Sequence, residues 1–275
     1  MVKTLIRYLH IGYLRCRVAL RPQIDVKGSV LFIAPHPDDE AIGCGGLISH
    51  LCAFGNPPHV AILTGGGKSM GEGQSINCSP EKMVIEKRRE LTLESAKKLG
   101  LPKNHIHFLD FRDGHISDRP EAEMQRLSNL INDINPSAIF VPHWGEGWPD
   151  HIVTREILLS QLGVSSEKCL GENNSTLNSK HSTLTVFKNP QIFEYCVWMW
   201  YYNVWNLNWK NAFKFRMTNA EHQAKLQAID AYIKPLAPNG KPWSGVLPQA
   251  FVKANKGRTE IYFRVTKLRG DKVAK

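Results

Sequence analysis

One imidazole and three carboxylates stand within five consecutive positions, His36-Pro37-Asp38-Asp39-Glu40, directly after the apolar run Val-Leu-Phe-Ile-Ala at 30–34. Two adjacent aspartates have no simple structural use. One can cap a following helix, but the second is then a close like charge whose energy is raised unless a cation lies between them. A bound metal is the simplest such cation, and a zinc site needs imidazole and carboxylate ligands together with a base for its water. The competing reading is a capped turn, with His36 a core histidine and Asp38 or Asp39 the N-cap. A second cluster weighs against it: His143-Trp144-Gly145-Glu146-Gly147-Trp148-Pro149-Asp150-His151 again follows an apolar run, Ala-Ile-Phe-Val-Pro at 138–142. Turns after two parallel strands can meet at one edge of an open α/β sheet, where such sheets bind their ligands.

Both apolar runs lack polar alternation and therefore read as strands buried on both faces. The rest of the chain supplies the matching elements in order. Gly43-Cys44-Gly45-Gly46 leads into a helix over 42–54, and His59 to Thr64 reads as a second strand after Asn56-Pro57-Pro58. Residues 65–80 are glycine-rich but lack both phosphate-loop spacings, and are expected to form a mobile flap beside the site. Ser79-Pro80 opens a helix carrying Arg88, Arg89 and Glu90, which Gly100 and Pro102 close. A third strand over 106–110, the loop 111–115, a helix over 120–135 and one over 152–162 complete the pattern. Residues 164–190, rich in Ser, Thr, Asn and Lys, read as an insertion loop. From Ile192 the chain turns aromatic, as in a packed layer. Thr218-Asn219-Ala220-Glu221 is a capping box, and 259–265 alternates like a closing edge strand. The order predicts an α/β fold: a Rossmann-like, mostly parallel sheet with helices on both faces and a C-terminal aromatic-rich extension completing the site, all in one domain over 1–275.

With 275 residues, 42% hydrophobic and 22% charged, the composition is that of a soluble globular protein. Six scattered cysteines without a C-x-x-C pair suggest neither a disulfide framework nor a cysteine metal site, and a reducing cytoplasm fits. The net charge of +10 points to an anionic partner. No nucleic-acid motif accompanies that charge, so nucleic acid ranks last. No stretch approaches the roughly 18 apolar residues of a membrane span. Residues 1–27 form a basic amphipathic segment in which Arg7, Arg15, Arg17 and Arg21 break any signal-peptide core and interleave with Leu5, Ile6, Leu9, Ile11, Tyr13, Leu14 and Val18. Two readings stay open: peripheral contact of residues 1–21 with the inner face of an anionic membrane, or a helix packed on the domain with its arginines in water.

Three pieces carry a family resemblance: Pro35-His36-Pro37-Asp38-Asp39-Glu40 with Gly45-Gly46, the helix from Arg88-Arg89-Glu90 to Leu99-Gly100, and Pro149-Asp150-His151 after a strand. The chain resembles the PIG-L/LmbE-like N-acetylglucosaminyl deacetylases, zinc amidohydrolases of N-acetylated sugars, over residues 28–162. The resemblance implies that His36, Asp39 and His151 ligate Zn2+, with other divalent ions open to the same donors. It implies that Asp38 is the general base, taking a proton from water and returning it to the leaving amine. Asp150 and Glu40 are then placed to brace the ligand turns. Arg88, His143 and Trp148 are the candidate substrate contacts. One departure stands out. The family commonly has His-Pro-Asp-His where this chain has Trp148, and loss of such a donor costs on the order of 10²-fold in rate. His143, His115 or an arginine are the candidates to replace it.

The function expected is removal of the N-acetyl group from an acetamido sugar or glycoconjugate, with release of acetate. The basic balance suits a lipid- or nucleotide-linked sugar. The alternatives are a zinc amidase for another amide and a catalytically impaired, glycan-binding member.

Overall fold

In a computed structural model of the protein, the described residues are 2–70, 80–163, 190–202, 204–205 and 207–266. In chain order they form α1 (Val2–Ala19), β1 (Val30–Ala34), α2 (Asp39–Ala53), β2 (His59–Thr64), α3 (Pro80–Leu99), β3 (Ile106–Phe111) and α4 (Glu121–Ile134). There follow β4 (Ala138–Pro142), α5 (Pro149–Gln161), β5 (Gln191–Tyr195), β6 (Ala212–Arg216), α6 (Asn219–Ile233), α7 (Gln249–Asn255) and β7 (Thr259–Arg264).

Every residue of β1 and β4 is buried. Side chains alternate across a strand, so each strand feeds both faces of the sheet. Val30, Phe32 and Ala34 pack with α2, α3 and α6, whereas Leu31 and Ile33 pack with α4 and α5. The sheet order is β3-β2-β1-β4-β5-β7-β6, parallel from β3 through β5 and antiparallel across β5-β7 and β7-β6. The chain runs outward from β1 to β2 and β3, then returns to lay β4 on the other side of β1. That reversal creates a crevice at the carboxyl ends of β1 and β4, the two strands that precede the His/Asp clusters. The fold is the mostly parallel α/β sheet, helices on both faces, that the sequence predicts.

The boundaries differ in instructive ways. α2 starts at Asp39 and not at 42, so the glycines lie inside the helix, where they allow close packing. A Cβ on Gly43 would come within 2.5 Å of the Tyr195 ring, and one on Gly46 within 2.4 Å of the Met217 sulfur. α5 starts at Pro149, which puts His151 in its first turn. β5 is hidden in the aromatic stretch, whose side chains show no clear period, and β6 and α7 come after it as elements the sequence reading did not predict. Because β6 takes the edge, β7 lies between β5 and β6 instead of closing the sheet. Residues 71–79 of the expected flap and 164–189 of the expected insertion loop lie outside the described residues.

α1 docks one face on the antiparallel end of the sheet: Ile11, Leu14 and Val18 pack with Trp209, Ile261 and Phe263. Leu5 and Leu9 stay 61% and 62% exposed. Among the described residues no helix is long and apolar enough to cross a membrane. A buried carboxylate fixes α2 in place. Glu260 accepts from Gly46 N, Leu47 N, the Lys225 ammonium at 2.6 Å and the Tyr262 hydroxyl.

Candidate metal centre

The turn after β1 is held in an unusual backbone state. Asp38 occupies the N-cap position of α2 with φ 111°, and its side chain makes no capping bond. A non-glycine residue in such a conformation costs roughly 1–3 kcal/mol and persists only where its surroundings hold it. Here the Asp38 N–H donates to Glu40 Oε2 at 3.1 Å, and the Arg88 guanidinium, reaching in from α3, donates to Asp38 Oδ2 at 3.2 Å, to Pro37 O and to Gly66 O. The Glu40 carboxylate also accepts from the Tyr232 hydroxyl at 2.7 Å. The capped-turn reading therefore fails: the Asp38 carboxylate is buried, held by Arg88 and turned toward the crevice.

Asp39 Oδ2 lies 3.4 Å from His36 Nδ1 and 3.2 Å from His151 Nε2. A tetrahedral site with bonds of about 2.0–2.1 Å has ligand edges of about 3.3 Å, which the two edges from Asp39 match, and all three donors lie within 4.8 Å of one another. Each imidazole also presents its far nitrogen to a carboxylate. His36 Nε2 is 3.1 Å from Asp150 Oδ2 and 3.5 Å from Asp113 Oδ1, and His151 Nδ1 is 3.3 Å from Glu146 Oε2. Ligating histidines are commonly oriented in this way. Both ring nitrogens of His151 are buried without a bond of hydrogen-bonding geometry, although carboxylate oxygens approach each of them. The donor set and its clustering fit a divalent ion.

The charge balance agrees. Burial lowers the proton affinity of His36, but hydrogen bonds to Asp113, Asp150 and Asp39 outweigh it and hold its pKa well above the ordinary value. Burial likewise works against the His151 imidazolium, and Asp39 and Glu146 push its pKa up to about 9. For Asp39 the upward push of burial is overcome by the two imidazoles, which hold its carboxyl below the usual range. Asp38 is raised to about 7 by burial, with Arg88 opposing and Asp39 adding. Burial also raises Glu40 to about 7, against the Tyr232 hydrogen bond. A pocket this rich in carboxylate attracts a cation, and metal binding at such donors releases protons.

These residues floor a cavity of about 520 Å³ whose lining includes His36, Asp38, Asp39, Arg88, Asp150 and Trp148. Asp113 belongs to the same lining and sequence reasoning missed it, although it too stands on a turn after a parallel strand, β3. Glu146 was also missed. It is fully buried and accepts from three consecutive backbone N–H groups, of Val197, Trp198 and Met199. His143 is not brought to the cavity. Its Nδ1 accepts from Gly145 N, its Nε2 is 3.5 Å from Glu194 Oε2, and its ring packs on Phe263. His115, another candidate replacement for the absent histidine, pairs with Asp118 on the surface.

The model of the family described as PIG-L, GlcNAc-PI de-N-acetylase, matches residues 31–162, the segment holding every residue of this centre. Over that segment, just under half of its length, the chain is similar to the PIG-L family. It is 37% identical over 135 residues to a diacetylchitobiose deacetylase of Thermococcus kodakarensis, covering 47% of each chain. It is 30% identical over 139 residues to a probable N-acetyl-α-D-glucosaminyl L-malate deacetylase of Bacillus subtilis, covering 50% of this chain and 62% of that one. The chain spans about half the length of the curated relatives it matches. In fold it is similar to the zinc-inhibited form of teicoplanin deacetylase, with a TM-score of 0.57 and 13% identity over 88% of this chain and all of that one. Within the matched segment Trp148 is the N-cap residue of α5, two positions before Asp150 and three before His151.

Proposed function

We propose that the chain is a zinc-dependent hydrolase that removes the N-acetyl group from an acetamido sugar or glycoconjugate and releases acetate, residues 1–275 acting as one domain. The observation that carries this reading is the convergence of His36, Asp39 and His151 beside the buried, uncapping carboxylate of Asp38. The relatives' activities on N-acetylated amino sugars support the substrate class.

His36, Asp39 and His151 would hold the ion. When bound, the ion supplies Lewis acidity, bringing water toward ionisation near neutral pH and polarising the acetyl carbonyl. Asp150 and Glu146 fix the far nitrogens of the two imidazoles, so that the near nitrogens face Asp39. Asp38 takes the proton of the attacking water and then delivers it to the leaving amine. Arg88 and Glu40 hold Asp38 in its strained backbone state for both transfers. Trp148, in place of the family's histidine, favours a second reading, a glycan-binding member with little turnover.

The exposed Leu5, Ile6 and Leu9 of α1 support peripheral contact with a membrane at its cytoplasmic face, while Arg7, Arg15 and Arg17 are engaged by the domain at Tyr201, Lys253 and Trp209. Free Cys16, Cys44, Cys52 and Cys196 suit that compartment.

The test is acetate release from a panel of N-acetylated amino sugars, with zinc and with a chelator. Asp38→Asn retains the metal and loses about 10²–10⁴-fold in kcat. Full turnover in that variant overturns the role of Asp38, and zinc binding without acetate release from any sugar favours the second reading.

A further inference from the structure

The cavity has two chemically different parts. One is the polar floor already described. The other is a wall of Trp148, Trp198, Val197, Val246, Leu247 and Phe251. Trp148 stacks on Trp198 with centroids 5.5 Å apart and planes 13° apart, and Trp198 rests on Phe251 at 4.2 Å. The wall's outer members are unusually bare, Trp148 being 42% and Val246 71% exposed. Apolar surface left open inside a cleft beside convergent polar groups is the mark of a ligand site.

This wall is tied to the metal centre through backbone. The Trp148 carbonyl accepts from His151 N at 3.1 Å, and the Trp198 N–H donates to Glu146, whose other approach is to His151. Gly147, at φ 67°, lies under the Tyr202 ring so closely that a Cβ there would come within 2.8 Å of it. An apolar group resting on the two indoles is thus held at a set distance from the reacting carbonyl. Apart from the indole N–H groups, the wall's side chains offer no polar atom, and the hydroxyls of Ser69 and Ser244, also in the lining, donate to the carbonyls of Trp243 and Tyr232. A second sugar ring needs polar partners around its rim, whereas an aryl or alkyl group needs none.

We propose that Trp148 and Trp198 form a subsite for an apolar aglycone, so that the substrate class is an N-acetylated amino sugar bearing an aryl or alkyl group. The proposal rests on the deacetylase reading of the same cavity, and the test separates the two. First, kcat/KM for acetate release is compared among N-acetylglucosamine, its hexyl and phenyl glycosides and diacetylchitobiose. Burying a group of that size on the indoles predicts a preference of about 10–100-fold for the hexyl and phenyl glycosides. Trp148→Ala loses the preference, Trp148→Phe keeps most of it, and Val246→Asp, at an exposed position where folding is not at stake, reduces it. Second, titration calorimetry measures binding of hexyl glucoside, which has no acetyl group to lose. Affinity falling about tenfold in Trp148→Ala supports the subsite even if no acetate is released anywhere, an outcome that would sink only the deacetylase reading. Acetate release with equal preference for all four sugars, or best from the disaccharide, overturns the subsite and leaves the deacetylase reading standing.

Discussion

Replacing Glu146 by Gln tests whether the second half of the centre is built as described. Glu146 Oε1 accepts from Val197 N at 2.9 Å and Met199 N at 3.1 Å, while Oε2 accepts from Trp198 N at 2.6 Å and faces His151 Nδ1 at 3.3 Å. A glutamine has one oxygen for these three donors. If it stays on Val197 and Met199, its NH2 opposes the Trp198 N–H and leaves a buried donor unpaired, at about 1–3 kcal/mol. The two retained bonds also lose their charge assistance, which is roughly half their strength. The sum is about 2–4 kcal/mol. At about 2 °C per kcal/mol for a chain of this size, the melting temperature of the metal-free protein falls by about 4–8 °C. The same change removes the anion that orients His151, and loss of such a partner lowers metal affinity about 10–100-fold. Thermal melts without metal and zinc titration against a competing chelator read the two effects separately. A Glu146→Gln protein that melts within about 1 °C of the parent, with unchanged zinc affinity, would refute the reasoning.

Two further perturbations follow. Gly66 has φ 63°, and a Cβ there would stand 1.9 Å from Arg88 Nη1, so Gly66→Ala displaces the guanidinium that holds Asp38. Deacetylation is expected to fall about 10²-fold with zinc content retained, and an unchanged kcat would contradict the role given to Arg88. Away from the site, His59 Nδ1 lies 3.0 Å from His107 Nε2, and its ring stacks on His105 at 4.3 Å. Burial, together with His105 and His107, lowers the His59 pKa to about 4, and burial and His105 lower that of His107. Between about pH 6.5 and pH 4 the unfolded chain binds more protons at these positions than the folded one, so their contribution to stability falls as pH falls through that window and is level above it. Tm against pH, compared with His59→Gln, should show a shallower acid decline in the variant; parallel curves would disprove the coupling.

Much of this was legible because the chemistry is local. His36, Asp38, Asp39 and Glu40 follow one fully apolar strand and His151 follows another, and parallel neighbours carry such turns to one edge of the sheet. Register and long-range pairing were less legible. Glu146 stands in the second cluster, but its use depends on three N–H groups of the turn after β5, a strand concealed by aromatic residues without a clear period. Asp113 gave only the weak signal of an acid on a turn. His143 follows β4 directly, yet it is buried against Glu194 and Phe263, and no local pattern distinguishes that environment from the cavity.

The most direct measurement is calorimetric titration of metal-free protein with Zn2+, in the parent chain and in His36→Ala, Asp39→Ala and His151→Ala. The expected result is one site per chain whose affinity falls at least about 100-fold in each variant, because the donors of residues 36, 39 and 151 lie within 4.8 Å of one another. Parent-like zinc binding in His151→Ala would contradict it.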